Sequence, residues 1–174
     1  MSEMTENLRE RDEQKDKYMT FKSGNEHYAL KIQYVSEIIP FQTITAIPET
    51  EDYIKGLINL RGKILPVIDV RLRFNQAPLE YNDRTCIIVI IVRGTMVGLV
   101  VEQIAEVVEI GKGNILPPPT IMRGDKLQNK YVYGIARIGT TVQLLIDPDK
   151  LLNDEDLTAA EQTGDMGEED EREV

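Results

Sequence analysis

Short apolar segments that alternate with two- or three-residue turn signals run through the chain from residue 18 to residue 152. The segments are rich in Val, Ile, Tyr and Thr, and they predict many short β-strands rather than long amphipathic helices. Pairs of segments around short glycine-containing turns predict four hairpins. The pairs are 18–23 with 26–32, 53–60 with 63–70, 85–92 with 96–101, and 131–138 with 141–146. The pattern therefore predicts an all-β fold, and Pro66 predicts an edge strand or a bulge in the segment 63–70.

Two stretches of the first half of the chain resemble stretches of the second half. Residues 29–39 resemble residues 98–108 in a constant register, which aligns Glu37 with Glu106. Residues 56–69 resemble residues 134–147, with Gly at the start and Ile-Asp at the end of both. Chance similarity among apolar strands is the alternative to duplication. If the halves are duplicates, each would form a small barrel of about 65 residues with a marginal core, so the two barrels should pack together and leave a groove.

The net charge of −10 belongs to the ends of the chain. Residues 1–17 carry six acidic and four basic side chains, and residues 153–174 carry ten and one, whereas residues 18–152 carry fourteen and fifteen. A nearly neutral folded region disfavours nucleic-acid binding, which usually needs a basic face. The longest apolar run is far shorter than the roughly 20 residues of a membrane-spanning helix. We therefore expect a cytoplasmic protein with no direct membrane insertion and with solvated acidic ends.

The side chains that usually carry catalysis are scarce and scattered. The single histidine, His27, begins a predicted strand, and Cys86 heads a buried one without a histidine nearby, so we expect a structural or solvated imidazole and an inert thiol. Asp147, Pro148 and Asp149 are interpreted as the N-cap and first residues of a helix rather than as a catalytic or metal-binding pair of carboxylates. The sequence predicts no enzyme activity, no cofactor and no metal site.

One stretch is specific to a known family. Residues 56–74 read GLINLRGKILPVIDVRLRF and closely resemble the Gly-Val/Ile-Asn-Leu-Arg-Gly-x-Ile-x-Pro-Val/Ile-x-Asp-Leu stretch of the CheW family. The resemblance continues to residue 153 and implies two SH3-like five-stranded β-barrel subdomains that pack together, with short helices. The domain would span residues 18–153 with a subdomain boundary near 75–84, between a flexible extension, 1–17, and an acidic disordered tail, 154–174.

The resemblance also implies a function and its partners. CheW proteins are non-enzymatic adaptors of bacterial chemotaxis, and such a chain would couple the cytoplasmic tips of methyl-accepting chemoreceptors to the regulatory domain of the histidine kinase CheA. It would join membrane receptor arrays only through these partners. The alternative is a CheW-like regulatory module of a related two-component signalling system.

Site residues follow from the resemblance by motif position. The implied receptor-binding residues are Arg61, Asn59, Gly56 and Lys63. The implied kinase-facing or receptor-facing residues are Val35 and Glu37. A second kinase contact is implied at Leu116 and Ile121, where related members can carry a basic and an aromatic residue. A solvated turn at Arg61 and a rigid proline-bounded connection at 116–121 are the alternatives.

Overall fold

The computed structural model describes residues 15–118 and 131–152, and these ranges contain ten strands, two four-residue α-helices and two 3-10 turns. The expected extension and tail lie outside them, except for residues 15–17. The strands are β1 (Lys17–Ser23), β2 (Glu26–Lys31), β3 (Val35–Pro40), β4 (Ile54–Leu60), β5 (Lys63–Asp69), β6 (Cys86–Val92), β7 (Thr95–Val101), β8 (Gln103–Glu109), β9 (Val132–Ile138) and β10 (Thr141–Ile146). The helices are α1 (Val70–Arg73) and α2 (Pro148–Leu151). All four predicted hairpins are confirmed.

The ten strands form two five-stranded sheets, which confirms the all-β fold. The first barrel has the strand order β8-β1-β2-β10-β9, and the second barrel has the order β3-β6-β7-β5-β4. Both ends of the chain therefore contribute to the first barrel, and its middle builds the second. The expectation that each half of the sequence forms its own barrel is wrong, because a boundary near 75–84 cuts through the second barrel.

The internal repeat explains this interleaving. Strands β1–β5 and β6–β10 are equivalent in order, and exchanging the two sets converts one sheet order into the other. The aligned stretches 29–39 and 98–108 are the two places where the chain leaves one barrel and enters the other. Each barrel is then completed by a parallel pair that joins one strand from each set of five. The pairs are β2 with β10 in the first barrel and β5 with β7 in the second.

Each barrel closes through a pair of backbone hydrogen bonds at equivalent positions. Thr45 and Leu57 exchange two bonds of 2.9 Å, and Leu116 and Ile135 exchange bonds of 2.9 and 2.8 Å. Pro66 lies on β5, which is an interior strand of its sheet, so the edge alternative is wrong. The recorded parallel pairing of β5 with β7 begins one residue later, at Val67, so the pairing does not include the proline. The bulge alternative is met close by, because the pairing of β4 with β5 shifts between Ile54 and Gly56.

Three apolar clusters hold this arrangement together. The interior of the second barrel is filled by residues such as Ile58, Val67 and Ile87. The interior of the first barrel combines two alanines with larger side chains, and its buried members are Tyr18, Ala29, Ile110, Ala136 and Leu145. The third and largest cluster lies between the barrels and takes residues from both sheets and both helices. Because burial of apolar surface is the main favourable term in folding, this shared cluster makes the two barrels one folding unit.

Each helix is capped by an aspartate at the end of the preceding strand: Asp69 is the last residue of β5, and Asp147 directly follows β10. Asp69 Oδ1 accepts hydrogen bonds from the backbone N–H groups of Arg71 at 2.9 Å and Leu72 at 3.4 Å. Asp147 Oδ1 accepts one from the N–H of Asp149 at 3.0 Å, and Pro148 follows it at the start of α2. The predicted helix N-cap at Asp147 is confirmed.

Candidate partner-binding site

Arg61 lies at the tip of the β4–β5 hairpin. Arg61 and Gly62 have φ angles of 50° and 89°, the left-handed conformation that a tight two-residue hairpin turn requires. Asn59 Oδ1 accepts a hydrogen bond from the N–H of Gly62 at 2.8 Å, which fixes the turn. The hairpin therefore presents the arginine outward, with its side chain 71% exposed.

The guanidinium of Arg61 forms an ion pair with the carboxylate of Glu37 on β3. Strands β3 and β4 are the two edges of the sheet in the second barrel, so this pair joins the edges at one end of the barrel. The side chain of Glu37 is 27% exposed. An ion pair this open to solvent contributes only about 0–1 kcal/mol, so it orients the two side chains more than it stabilises the fold.

A β-bulge in β3 lies next to Glu37 and sets which face the neighbouring apolar side chains occupy. The pairing of β3 with β6 shifts between Val35 and Glu37, so Val35 and Ile38 share the face that packs toward the first barrel. Val35 packs against the cluster between the barrels, whereas Ile38 is 41% exposed. We call the end of the second barrel that carries the Arg61–Glu37 ion pair, together with Val35 and Ile38 on the same strand as Glu37, the arginine rim.

The first barrel carries an equivalent surface that lacks the arginine. Ile104, Glu106 and Val107 on β8 are the counterparts of Val35, Glu37 and Ile38, and Val107 is 51% exposed. Gly139, in the β9–β10 turn, is the counterpart of Arg61. The two barrel ends therefore share an acidic and an apolar side chain but differ in the cation that would meet a partner.

Comparison with known proteins identifies the family. The family model of the CheW-like domain matches residues 17–156. The chain belongs to the CheW-like family. The chemotaxis protein CheW of Klebsiella aerogenes is 35% identical over 140 residues, which are 80% of this chain and 83% of that relative. The chemotaxis protein CheW of Treponema pallidum is 30% identical over 143 residues, with the same two coverages.

A solved structure agrees with this assignment in fold. The crystal structure of the scaffolding protein TtCheW from Thermoanaerobacter tengcongensis is similar to the chain with a TM-score of 0.73 and 34% sequence identity. The match covers 81% of this chain and 94% of that protein. As a CheW-like protein, the chain is a non-enzymatic adaptor of chemotaxis.

The other implied receptor-binding residues have different surroundings in the CheW-like fold. Asn59 and Lys63 are exposed on either side of the Arg61 turn. Gly56 is buried, with φ of 142°, and a Cβ atom there would lie 2.0 Å from the carbonyl oxygen of Thr45. Gly56 therefore has a clear structural role, because only glycine lets β4 approach the closing segment of the barrel so closely.

The implied second kinase contact is only partly described. Leu116 is 60% exposed and lies beside the closing bridge to Ile135. Ile121 lies outside the described residues. Leu116 is far along the chain from the arginine rim and belongs to the first barrel, so the structure does not bring it together with Arg61.

The remaining candidate groups show no reactive environment. Burial raises the pKa of the Cys86 thiol, which disfavours the nucleophilic thiolate. Residues 15–118 and 131–152 contain no cluster of three or more His, Cys, Asp or Glu side chains that could hold a metal ion. Within the same ranges, no helix is long and apolar enough to cross a membrane.

Sequence reasoning missed Ile38. Its neighbours Val35 and Glu37 were implied by the family resemblance, but alternation along β3 does not reveal the bulge that turns Ile38 toward the same side as Val35. The useful signal was the alignment with residues 98–108, which pairs Ile38 with Val107, another exposed aliphatic residue. Two exposed aliphatic side chains at equivalent positions suggest a shared purpose.

Proposed function

We propose that this CheW-like chain couples the cytoplasmic tips of chemoreceptors to the regulatory domain of the histidine kinase CheA. It would act in the cytoplasm, at receptor arrays, and be held there by its partners. The observation that carries the proposal is the exposed ion pair between Arg61 and Glu37, which joins two separately implied site segments into one surface.

Arg61 is the residue best suited to contact the receptor. Its guanidinium is exposed and planar, so it can form bidentate bonds with a carboxylate of a partner. Exchanging its weak intramolecular partner Glu37 for a partner's carboxylate costs little. Asn59 and Lys63 flank it, and Val35 and Glu37 would contact either the receptor or the kinase.

The difference between the two barrel ends supports an adaptor with two distinct contacts. At the second barrel, Arg61 and the exposed Ile38 suit a partner surface of mixed acidic and apolar character. The equivalent end of the first barrel presents the exposed Glu106 and has Gly139 at the position of Arg61. Unequal surfaces on similar barrels allow one chain to hold two partners without confusing them. We propose that the second kinase contact includes Leu116, which lies on the first barrel, together with Ile121, as the family resemblance implies.

Modest affinity at each contact is sufficient for this role. A dissociation constant near 1 μM corresponds to about −8 kcal/mol. Many copies in an array multiply such contacts through avidity, and weak individual contacts allow the array to respond to receptor state.

The test is co-sedimentation of the purified chain with CheA and with receptor cytoplasmic fragments, together with kinase activity. We expect the chain to bring kinase and receptor into one pellet and to raise kinase activity. Binding to the kinase without binding to receptor fragments would favour a regulatory module of another two-component system. Binding to neither partner would overturn the proposal. Arg84→Glu, an exposed charge reversal at a position that is implied in neither contact, is the matched control for variants of Arg61.

A further inference from the structure

Asp69 and Asp147 occupy equivalent positions in the repeat, and a cleft lies beside each. The cleft at Asp69 is lined by Arg71 and Val100, among others. The cleft at Asp147 is lined by Asp149 and Lys31, which are the counterparts of those two residues. The two clefts are therefore versions of one structural feature.

The chain itself fills the first cleft. The segment that follows α1 returns over it, and the hydroxyl of Tyr81 donates a hydrogen bond to Asp69 Oδ2 at 2.7 Å. The ring of Tyr81 is held by Phe41, with ring centroids 4.8 Å apart, and by the ammonium group of Lys55 at 5.8 Å. Leu79 and Glu80 also line the cleft, which retains only about 20 Å³, enough space for about one water molecule.

Among residues 15–118 and 131–152, no segment fills the second cleft. Its volume is about 170 Å³, and the side chains of Tyr34 and Tyr133 form part of its wall. Asp147 Oδ1 is used by the N-cap bond from Asp149, and among residues 15–118 and 131–152 no side chain donates a hydrogen bond to Asp147. Asp147 Oδ2 is therefore the equivalent of Asp69 Oδ2, but no tyrosine hydroxyl of the described residues donates a hydrogen bond to it.

The charges around this cleft favour a neutral donor. Asp149 pairs with Arg93 at 3.6 Å. The ammonium group of Lys31 lies 6.0 Å from the ring centroid of Tyr133, inside the cleft. A cationic group placed next to Asp147 would be repelled by Lys31, and an anionic group there would be repelled by Asp147 itself. A phenolic hydroxyl can donate to the carboxylate without adding charge.

We propose that the cleft at Asp147 binds an extended segment of another protein that presents a tyrosine. The hydroxyl of this tyrosine would donate a hydrogen bond to Asp147, as the hydroxyl of Tyr81 does to Asp69. The chain's own residues 153–174 are unsuitable, because they contain no tyrosine and carry ten acidic residues against one basic residue. The Tyr81 of a second copy of this chain is also unsuitable as the donor, because it already binds its own Asp69. The inference does not depend on which partner contacts Arg61.

The experiment uses the chain's own cleft-filling segment as the probe. A peptide with the sequence of residues 75–84 is titrated into the isotope-labelled full chain, and amide chemical shifts are followed by NMR. A second peptide carries phenylalanine in place of the tyrosine. Asp147→Asn keeps an N-cap acceptor but replaces the second oxygen with an amide donor, and Lys150→Ala, exposed on the same helix, is the control.

We expect the tyrosine peptide to shift amides around Asp147 and Lys31. Affinity should fall at least fivefold with the phenylalanine peptide and with Asp147→Asn, and should be unchanged with Lys150→Ala. Equal binding of the two peptides, equal binding to Asp147→Asn, or shifts confined to the surroundings of Asp69 would each overturn the proposal. So would the absence of shifts at either cleft. None of these readouts involves receptor or kinase, so the result is independent of the proposed coupling function.

Discussion

The guanidinium of Arg73 donates a hydrogen bond from Nε to the carbonyl oxygen of Leu151 at 2.6 Å. Arg73 ends α1, and Leu151 is its counterpart at the end of α2. The guanidinium also lies 4.2 Å from the ring centroid of Tyr53 and 5.1 Å from that of Tyr131, which are themselves counterparts in the repeat. One arginine thus ties together both copies of the repeat at the seam between the barrels.

Replacing Arg73 with lysine should lower the free energy of unfolding by about 1–3 kcal/mol. Lysine keeps the charge but loses the planar group that stacks between two rings while it donates to a carbonyl. Urea unfolding measures the difference. Arg84→Lys, on the exposed surface, should change stability by less than about 0.5 kcal/mol. Equal stabilities of the two variants would contradict the role of Arg73.

Gly56→Ala should be among the most damaging small substitutions in the chain. A Cβ atom would lie 2.0 Å from the backbone oxygen of Thr45, and backbone cannot move aside as a flexible side chain can. We expect a loss of more than about 3 kcal/mol in the free energy of unfolding. Gly94→Ala is the control, because its φ is 78° but nothing lies within 4 Å of the new atom. It should cost only about 1 kcal/mol, and a comparable loss for both variants would exclude the steric explanation.

The two capping aspartates should differ in importance. Asp69→Ala and Asp147→Ala each remove a helix N-cap, which typically costs about 1 kcal/mol. Asp69→Ala also leaves the hydroxyl of Tyr81 without its carboxylate, so it should cost about 1 kcal/mol more. Thermal or urea unfolding of the two variants tests this ranking, and an equal or smaller loss for Asp69→Ala would contradict a stabilising contact of Tyr81.

Stability should fall between pH 10 and pH 12 because of Tyr28. Burial raises the pKa of Tyr28 from its ordinary value of 10.0 to about 12. Below pH 10 the phenol is neutral in both states, so its contribution is fully present there. As pH rises through this window, the unfolded chain loses the proton first, and the free energy of unfolding decreases by at most about 3 kcal/mol.

The variant Tyr28→Phe isolates this effect from other groups that titrate at high pH. Its unfolding free energy should decline less steeply than that of the unchanged chain between pH 10 and pH 12. The phenol of Tyr28 also accepts a hydrogen bond from Gln76 at 3.3 Å, so comparison of slopes is more informative than comparison of absolute stabilities. Parallel slopes would argue against a perturbed Tyr28.

Local sequence patterns predicted the strands well and their partners poorly. The turn glycines at positions 62, 94 and 139 have positive φ, and each joins strands whose limits agree with the alternating pattern. Alternation cannot reveal that β2 pairs in parallel with β10, where His27 is opposite Gln143. Such pairing is decided by the apolar face that both copies bury together, and not by neighbouring residues.

The candidate site shows a similar division. The family resemblance implied Arg61 and Glu37 as separate site residues, but nothing in the sequence around either residue indicates that the two side chains form an ion pair. The ion pair exists because barrel closure brings the two edges of one sheet together. Gly56 was implied beside Arg61, yet its buried position and close contact with Thr45 explain its identity through packing.

The most direct test of the account is the charge exchange between Arg61 and Glu37. Arg61→Glu should unfold at nearly the same urea concentration as the unchanged chain, because an exposed ion pair is worth about 0–1 kcal/mol, but should bind receptor fragments at least tenfold more weakly. The double variant Arg61→Glu with Glu37→Arg restores the ion pair with its charges exchanged. If Arg61 contacts the receptor, the double variant still fails to bind receptor fragments and to raise kinase activity. Recovery of both activities in the double variant would show that the pair only holds the barrel edges together and would contradict the account.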